Sequence, residues 1–83
     1  MSTSMRAKFV ITGIVKMSES SEEVKFAGVP KTGSYPEDGS DEDNTFAKFS
    51  PAASCAITIQ NPNLIGKFNV GEKFYVDFTP VAK

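Results

Sequence analysis

Four stretches of the chain alternate between apolar and polar residues with a period of two, the signature of strands with one buried face. The first runs from Arg6 to Met17, with Ala7, Phe9, Ile11, Val15 and Met17 on one face and Lys8, Thr12 and Lys16 on the other. Val10 and Ile14 share that second face, so this strand predicts cover on both sides and offers the pair as an oligomer interface. Gly13 in its middle predicts a bulge or a sharp bend. The second strand, Glu22 to Val29, turns Val24 and Phe26 inward and Glu23, Lys25 and Ala27 outward. The short polar segment between the two predicts a hairpin.

Pro30, Gly33, Pro36 and Gly39 then end regular structure. A third strand over Ser54 to Gln60 turns Cys55, Ile57 and Ile59 inward, with an extra short strand over Thr45 to Phe49 bent at Ser50-Pro51. The fourth, Lys73 to Thr79, turns Phe74, Val76 and Phe78 inward and Tyr75, Asp77 and Thr79 outward. Between the last two strands, Asn61-Pro62 carries a helix-start signal, and Gly66 stops the helix after one turn. Leu64, Ile65 and Phe68 are then placed to plug an open barrel end. The expected fold is all-β: a four- to five-stranded, partly open barrel or sandwich, OB-like or SH3-like, with one short helical turn before the last strand.

Composition narrows the chemistry. Eighty-three residues, 40% apolar and 23% charged with net charge −1, fit one small globular domain over 1–83. Within it, 1–5 reads as a polar arm and 30–44 as a long acidic loop. No apolar run approaches the roughly 20 residues of a membrane helix. The first residues lack a signal-peptide pattern, which predicts a protein that is not secreted. With no His and one Cys, the chain lacks the means for common zinc sites, His-based triads and internal disulfides. A domain this short buries only roughly 60–65% of its unfolded surface, so self-association would help it.

Five of the ten acids, Glu37, Asp38, Asp41, Glu42 and Asp43, lie together, leaving the remainder nine basic and five acidic groups. The acidic run departs from an EF-hand in spacing and has no flanking helices, so it reads as a solvated loop, with no metal and no cofactor expected. Asn44 could cap a turn or touch a ligand, and Phe46 and Phe49 could stack on a planar ring or fill the core of a bent strand. Tyr75 and Asp77 form an outward recognition surface or an interface. Lys8 and Lys25, with Arg6 and Lys16, make a basic face for a small anionic ligand or simply keep the sheet soluble. Cys55 reads as a small buried apolar residue. No carboxylate pair sits on rigid elements and no Gly-rich phosphate loop is present, so no catalytic residue is assigned and no enzyme is expected.

The second half carries a resemblance. The stretches Asp43 to Pro51, Ile57 to Pro62 and Phe68 to Pro80, the last holding Tyr75-Val76-Asp77-Phe78-Thr79-Pro80, resemble small uncharacterised proteins of tailed bacteriophages. The first strand resembles theirs more loosely, and the acidic loop lies outside the likeness. The resemblance implies a phage origin, in the host cytoplasm or the virion, and nothing catalytic. Three functions follow as expectations. The first is a capsid decoration or cement protein, whose partner is a capsid protein or another copy. The second is a sponge or inhibitor of a nucleotide-like host signal or a host protein. The third is a single-strand nucleic-acid binder, which the acidic pI of 5.3 argues against.

Overall fold

A computed structural model describes residues 4–82. They form an all-β domain of four strands: β1 (Met5–Ser18), β2 (Ser21–Gly28), β3 (Ser54–Ile59) and β4 (Lys73–Phe78). All pairings are antiparallel, in the order β3-β2-β1-β4. The sheet stays open, with β3 and β4 at opposite edges. The expected extra strand over Thr45 to Phe49 does not form; only Thr45 bonds to β1, and turns follow it. Of the expected polar arm, residues 1–3 lie outside the described residues, Ser4 is exposed and Met5 already begins β1.

One face of the sheet carries the core. Ala7, Phe9, Ile11 and Val24 are buried on it. Phe9 and Phe74 are paired across β1 and β4, and Phe26 lies across from Ile11 on β2. Phe26 meets both Phe9 and Phe74 edge to face, at 6.0 and 6.3 Å between ring centroids, and Phe68 meets Phe74 at 5.7 Å. The segment that brings Phe68 there begins with the expected turn. The Asn61 side chain accepts from the N–H of Asn63, its carbonyl accepts from Ile65, and Gly66 stops the turn at φ +79°. This turn does not grow into a helix. It lies against the sheet face rather than plugging a barrel end, with the Gly66 N–H 3.4 Å from the carboxylate of buried Glu22.

The bulge expected near Gly13 is present, and it changes which residues are inside. Ile11 pairs with Phe26 and Gly13 with Lys25, which leaves Thr12 without a partner. One extra residue reverses the in-out parity beyond it, here as far as a second shift between Lys16 and Ser18. Ile14 therefore stands opposite Val24 on the core face, while Val10 stands opposite Ala27 on the other. The two do not share an outward face as their spacing predicts. For the same reason Val15 and Met17 are exposed rather than inward, and Lys16 stands opposite Glu22 instead of beside Lys8. Ile57 faces the core side opposite Val24 as expected, but its position on an edge strand leaves it 49% exposed.

The domain is thin. Its extents are 48 × 35 × 16 Å and its radius of gyration is 15.0 Å. A compact chain of this length would have a radius of about 12 Å. The long connection from β2 to β3 is held by its own contacts. Phe49 adopts a left-handed backbone (φ +69°), donates its N–H to the Gly39 carbonyl at 2.7 Å and packs its ring on Tyr35. Gly39 is itself at φ +75°, and a Cβ there would lie 2.5 Å from the Phe49 ring. Gly39→Ala should therefore cost about 2 kcal/mol or more, read as a lower urea midpoint at unchanged m-value.

Candidate functional site

Two surfaces emerge, one polar and one apolar, on opposite faces of the β1–β4 half of the sheet. Both depend on how the acidic loop is fastened. Around Lys8, β2 has begun to leave β1. The Val29 N–H still donates to the Lys8 carbonyl at 2.9 Å. The reciprocal bond is replaced by the side chain of Asn44. Its Oδ1 accepts from the Lys8 N–H at 2.7 Å, and its Nδ2 donates to the Val29 carbonyl at 2.7 Å. An amide offers one donor and one acceptor in the geometry of a peptide unit, so it substitutes for one. Next along β1, Arg6 bonds to Thr45 twice: its N–H donates to Oγ1, and its carbonyl accepts the Thr45 N–H. Asn44 is wholly buried, so it fastens the loop and has no surface to offer a ligand.

Asp41 completes the fastening. Its carboxylate accepts from the N–H groups of Asp43 and Asn44 and from Asn44 Nδ2. Burial pushes its carboxyl pKa up, but the Asn44 side chain and the N–H groups of Asn44, Asp43 and Lys31 outweigh it and hold the group below the usual range. Other acids of the loop are likewise engaged. Asp38 is held low by the N–H and hydroxyl of Ser40, and Glu42 by Lys31 at 2.9 Å. Among the described residues no three His, Cys, Asp or Glu side chains converge to hold a metal ion.

The loop brings Asp43 onto the outer face, where β1 and β4 have placed alternate residues side by side. Arg6 stands opposite Asp77 and Lys8 opposite Tyr75. Arg6 grips Asp77 through two nitrogens, at 2.6 and 3.1 Å, and lies over the Tyr75 ring at 4.8 Å. Tyr75 donates its hydroxyl to Asp43 at 3.0 Å, and Lys8 reaches the other Asp43 oxygen at 3.4 Å. Two cations and two carboxylates thus neutralise one another in one row. Arg6 holds Asp77 below the usual carboxylate range. An open groove of about 460 Å³ runs beside Arg6 and Asp77, lined also by Glu42, Thr45 and Thr79. The row can read an edge or a polar surface. Both of its cations are already paired with carboxylates.

The sequence-predicted residues divide between places. Lys8, Tyr75 and Asp77 come together in this row, with Arg6. Lys25 is also on the outer face but away from them, with Glu23 at 4.0 Å. Phe46 is at the core face, 38% exposed, beside Met5 and Phe78 around an apolar cleft of about 230 Å³. Phe49 is tied to Tyr35 and Gly39 within the loop. Sequence reasoning missed Asp43 and Thr45 as members of the site. The available signal was local, an Asp and an Asn three apart that close a tight turn. Among the described residues no helix is long and apolar enough to cross a membrane.

Removing the Asn44 amide strands two half-buried backbone groups. Asn44→Ala should destabilise the fold by about 3 kcal/mol in urea unfolding, far more than Asp77→Ala at the exposed row. The shifted acids also set a pH profile. Asp38, Asp41, Glu42 and Asp77 are all held below the usual carboxylate range, so their stabilisation is present above that range and is lost as pH falls through the folded values. Lys31 is raised from 10.5 by Glu42, so its contribution is present below that value and is lost as pH rises beyond it. Burial and the Asp41 charge raise Tyr35 from 10.0, which adds an alkaline loss. Thermal melts should show a plateau between roughly pH 5 and 9 that falls on both sides. No protein-family model, curated protein or solved structure matches this chain.

Proposed function

We propose that the chain is a non-enzymatic structural module of a bacteriophage particle, acting through protein–protein contacts as a decoration or cement protein does. The observation that carries this reading is a core face left half covered. A sheet buries its apolar face against a second layer. Here the turn at Asn61 and Phe68 covers only part of that face, and Met5, Phe46 and Phe78 remain exposed at the other end. A capsid surface laid against this end would supply the missing layer. The phage setting rests on the resemblance carried by Asp43 to Pro51, Ile57 to Pro62 and Phe68 to Pro80.

A sponge for a nucleotide-like signal has less support. Of its aromatic candidates Phe46, Phe49 and Tyr75, Phe46 and Tyr75 lie on opposite faces of the sheet and Phe49 packs on Tyr35 within the loop. A nucleic-acid interface has less still, because Arg6 and Lys8 are already matched by Asp77 and Asp43.

Mass spectrometry of gradient-purified particles tests the reading. Many copies per particle relative to the major capsid protein are expected. Phe46→Asp, which charges the exposed cleft, should keep the fold and reduce incorporation by at least about tenfold. A chain absent from purified particles would overturn the proposal.

A further inference from the structure

The two edges of the sheet are unlike. Along β4, the residues whose backbone groups face away from β1 are Lys73, Tyr75 and Asp77, and Pro80 follows. Charges and a nearby proline are the usual protection of an exposed edge. The β3 edge has prolines only outside it, at Pro51 and Pro62, and lacks the charges. No charged residue lies between Lys48 and Lys67, and no proline or bulge interrupts Ser54 to Gln60. The strand is rich in β-branched residues: Ile57, Thr58 and Ile59.

The hydrogen-bond phase says which groups are free. Gly28 donates to the Ala53 carbonyl at 3.0 Å, which fixes that pair as a bonded one. Counting along the register, Cys55, Ile57 and Ile59 turn their backbone groups to β2, and Ser54, Ala56 and Thr58 turn theirs outward. These three residues are exposed, and among the described residues no hydrogen bond reaches their outward groups.

We propose that this edge pairs with the same edge of a second copy, joining two sheets into one of eight strands about a two-fold axis at Ile57. The sequence is self-complementary in that register. Ile57 meets its own counterpart in a non-bonded pair, where side chains approach most closely, at a Cα separation of about 4.5 Å. Cys55 meets Ile59 on the same face, and Ala56 meets Thr58 on the other. Ser54 bonds to Gln60, so every outward residue from 54 to 60 gains a partner. No charge opposes a like charge anywhere in the contact, and the exposed Ile57 becomes covered. This surface adjoins the cleft at Phe46 through Ser54 but does not rest on the particle role.

Sedimentation equilibrium of the full chain, together with a designed cross-link, tests the pairing. The native chain should sediment as a dimer. Cys55→Ser with Ile57→Cys should form a disulfide-linked dimer on mild oxidation, whereas Cys55→Ser alone should not. Ala56→Pro removes only an outward N–H and should weaken the dimer by at least about tenfold while keeping the strand circular dichroism. A native chain that stays monomeric to roughly 1 mM overturns the proposal. So does a dimer as tight in Ala56→Pro as in the native chain, which would place the contact elsewhere. Should Ala56→Pro lose its strand spectrum, the cross-link decides, and its absence in a dimeric chain overturns the pairing.

Discussion

The arrangement of this domain depends on one side-chain amide taking the place of a backbone peptide. Where β2 parts from β1, a bonded pair between Lys8 and Val29 would close the ladder. The Asn44 amide enters that pair and satisfies both halves of the missing bond. Its insertion does three things at once. It lets β2 leave the sheet without orphaned half-buried groups, it anchors a long irregular connection, and it delivers Asp43 to Lys8 and Tyr75. A carboxylate of the same shape could not do this, because it has no donor for Val29 and would sit against Asp41.

The anchoring also explains how so acidic a segment stays close to the sheet. Asp38 and Asp41 spend their oxygens on nearby N–H groups, Glu42 on Lys31, and Asp43 on Lys8 and Tyr75. The loop is acidic in composition, yet most of its charge is answered within the molecule.

Strand existence was legible in the sequence, because alternation over six or more residues has one simple reading. The four strands, the hairpin, the bulge near Gly13 and the turn at Asn61 follow from local pattern and turn chemistry. What was not legible were the consequences of non-local pairing. The bulge could be suspected from Gly13, but the partner that Thr12 lacks is set by β2, and with it the face taken by Ile14 and Lys16. Asn44 read as a ligand contact or a turn cap because its real partners lie 36 and 15 residues away. Phe46 and Phe49 could not be assigned to a face, because they sit in a segment that is neither strand nor helix.

The unpaired Thr12 has a wider effect than a local kink. A regular strand would keep Val15 beside Phe9 and Ile11 and would put Ile14 with Val10 on the opposite face. With the phase reversed halfway, the apolar residues of β1 are dealt to both sides: Ala7, Phe9 and Ile11 to the core face, Val15 to the outer one. The bulge thus trades Ile14 for Val15 between the two faces, and the far end of β1 carries its exposed apolar surface, Val15 and Met17, outside the core.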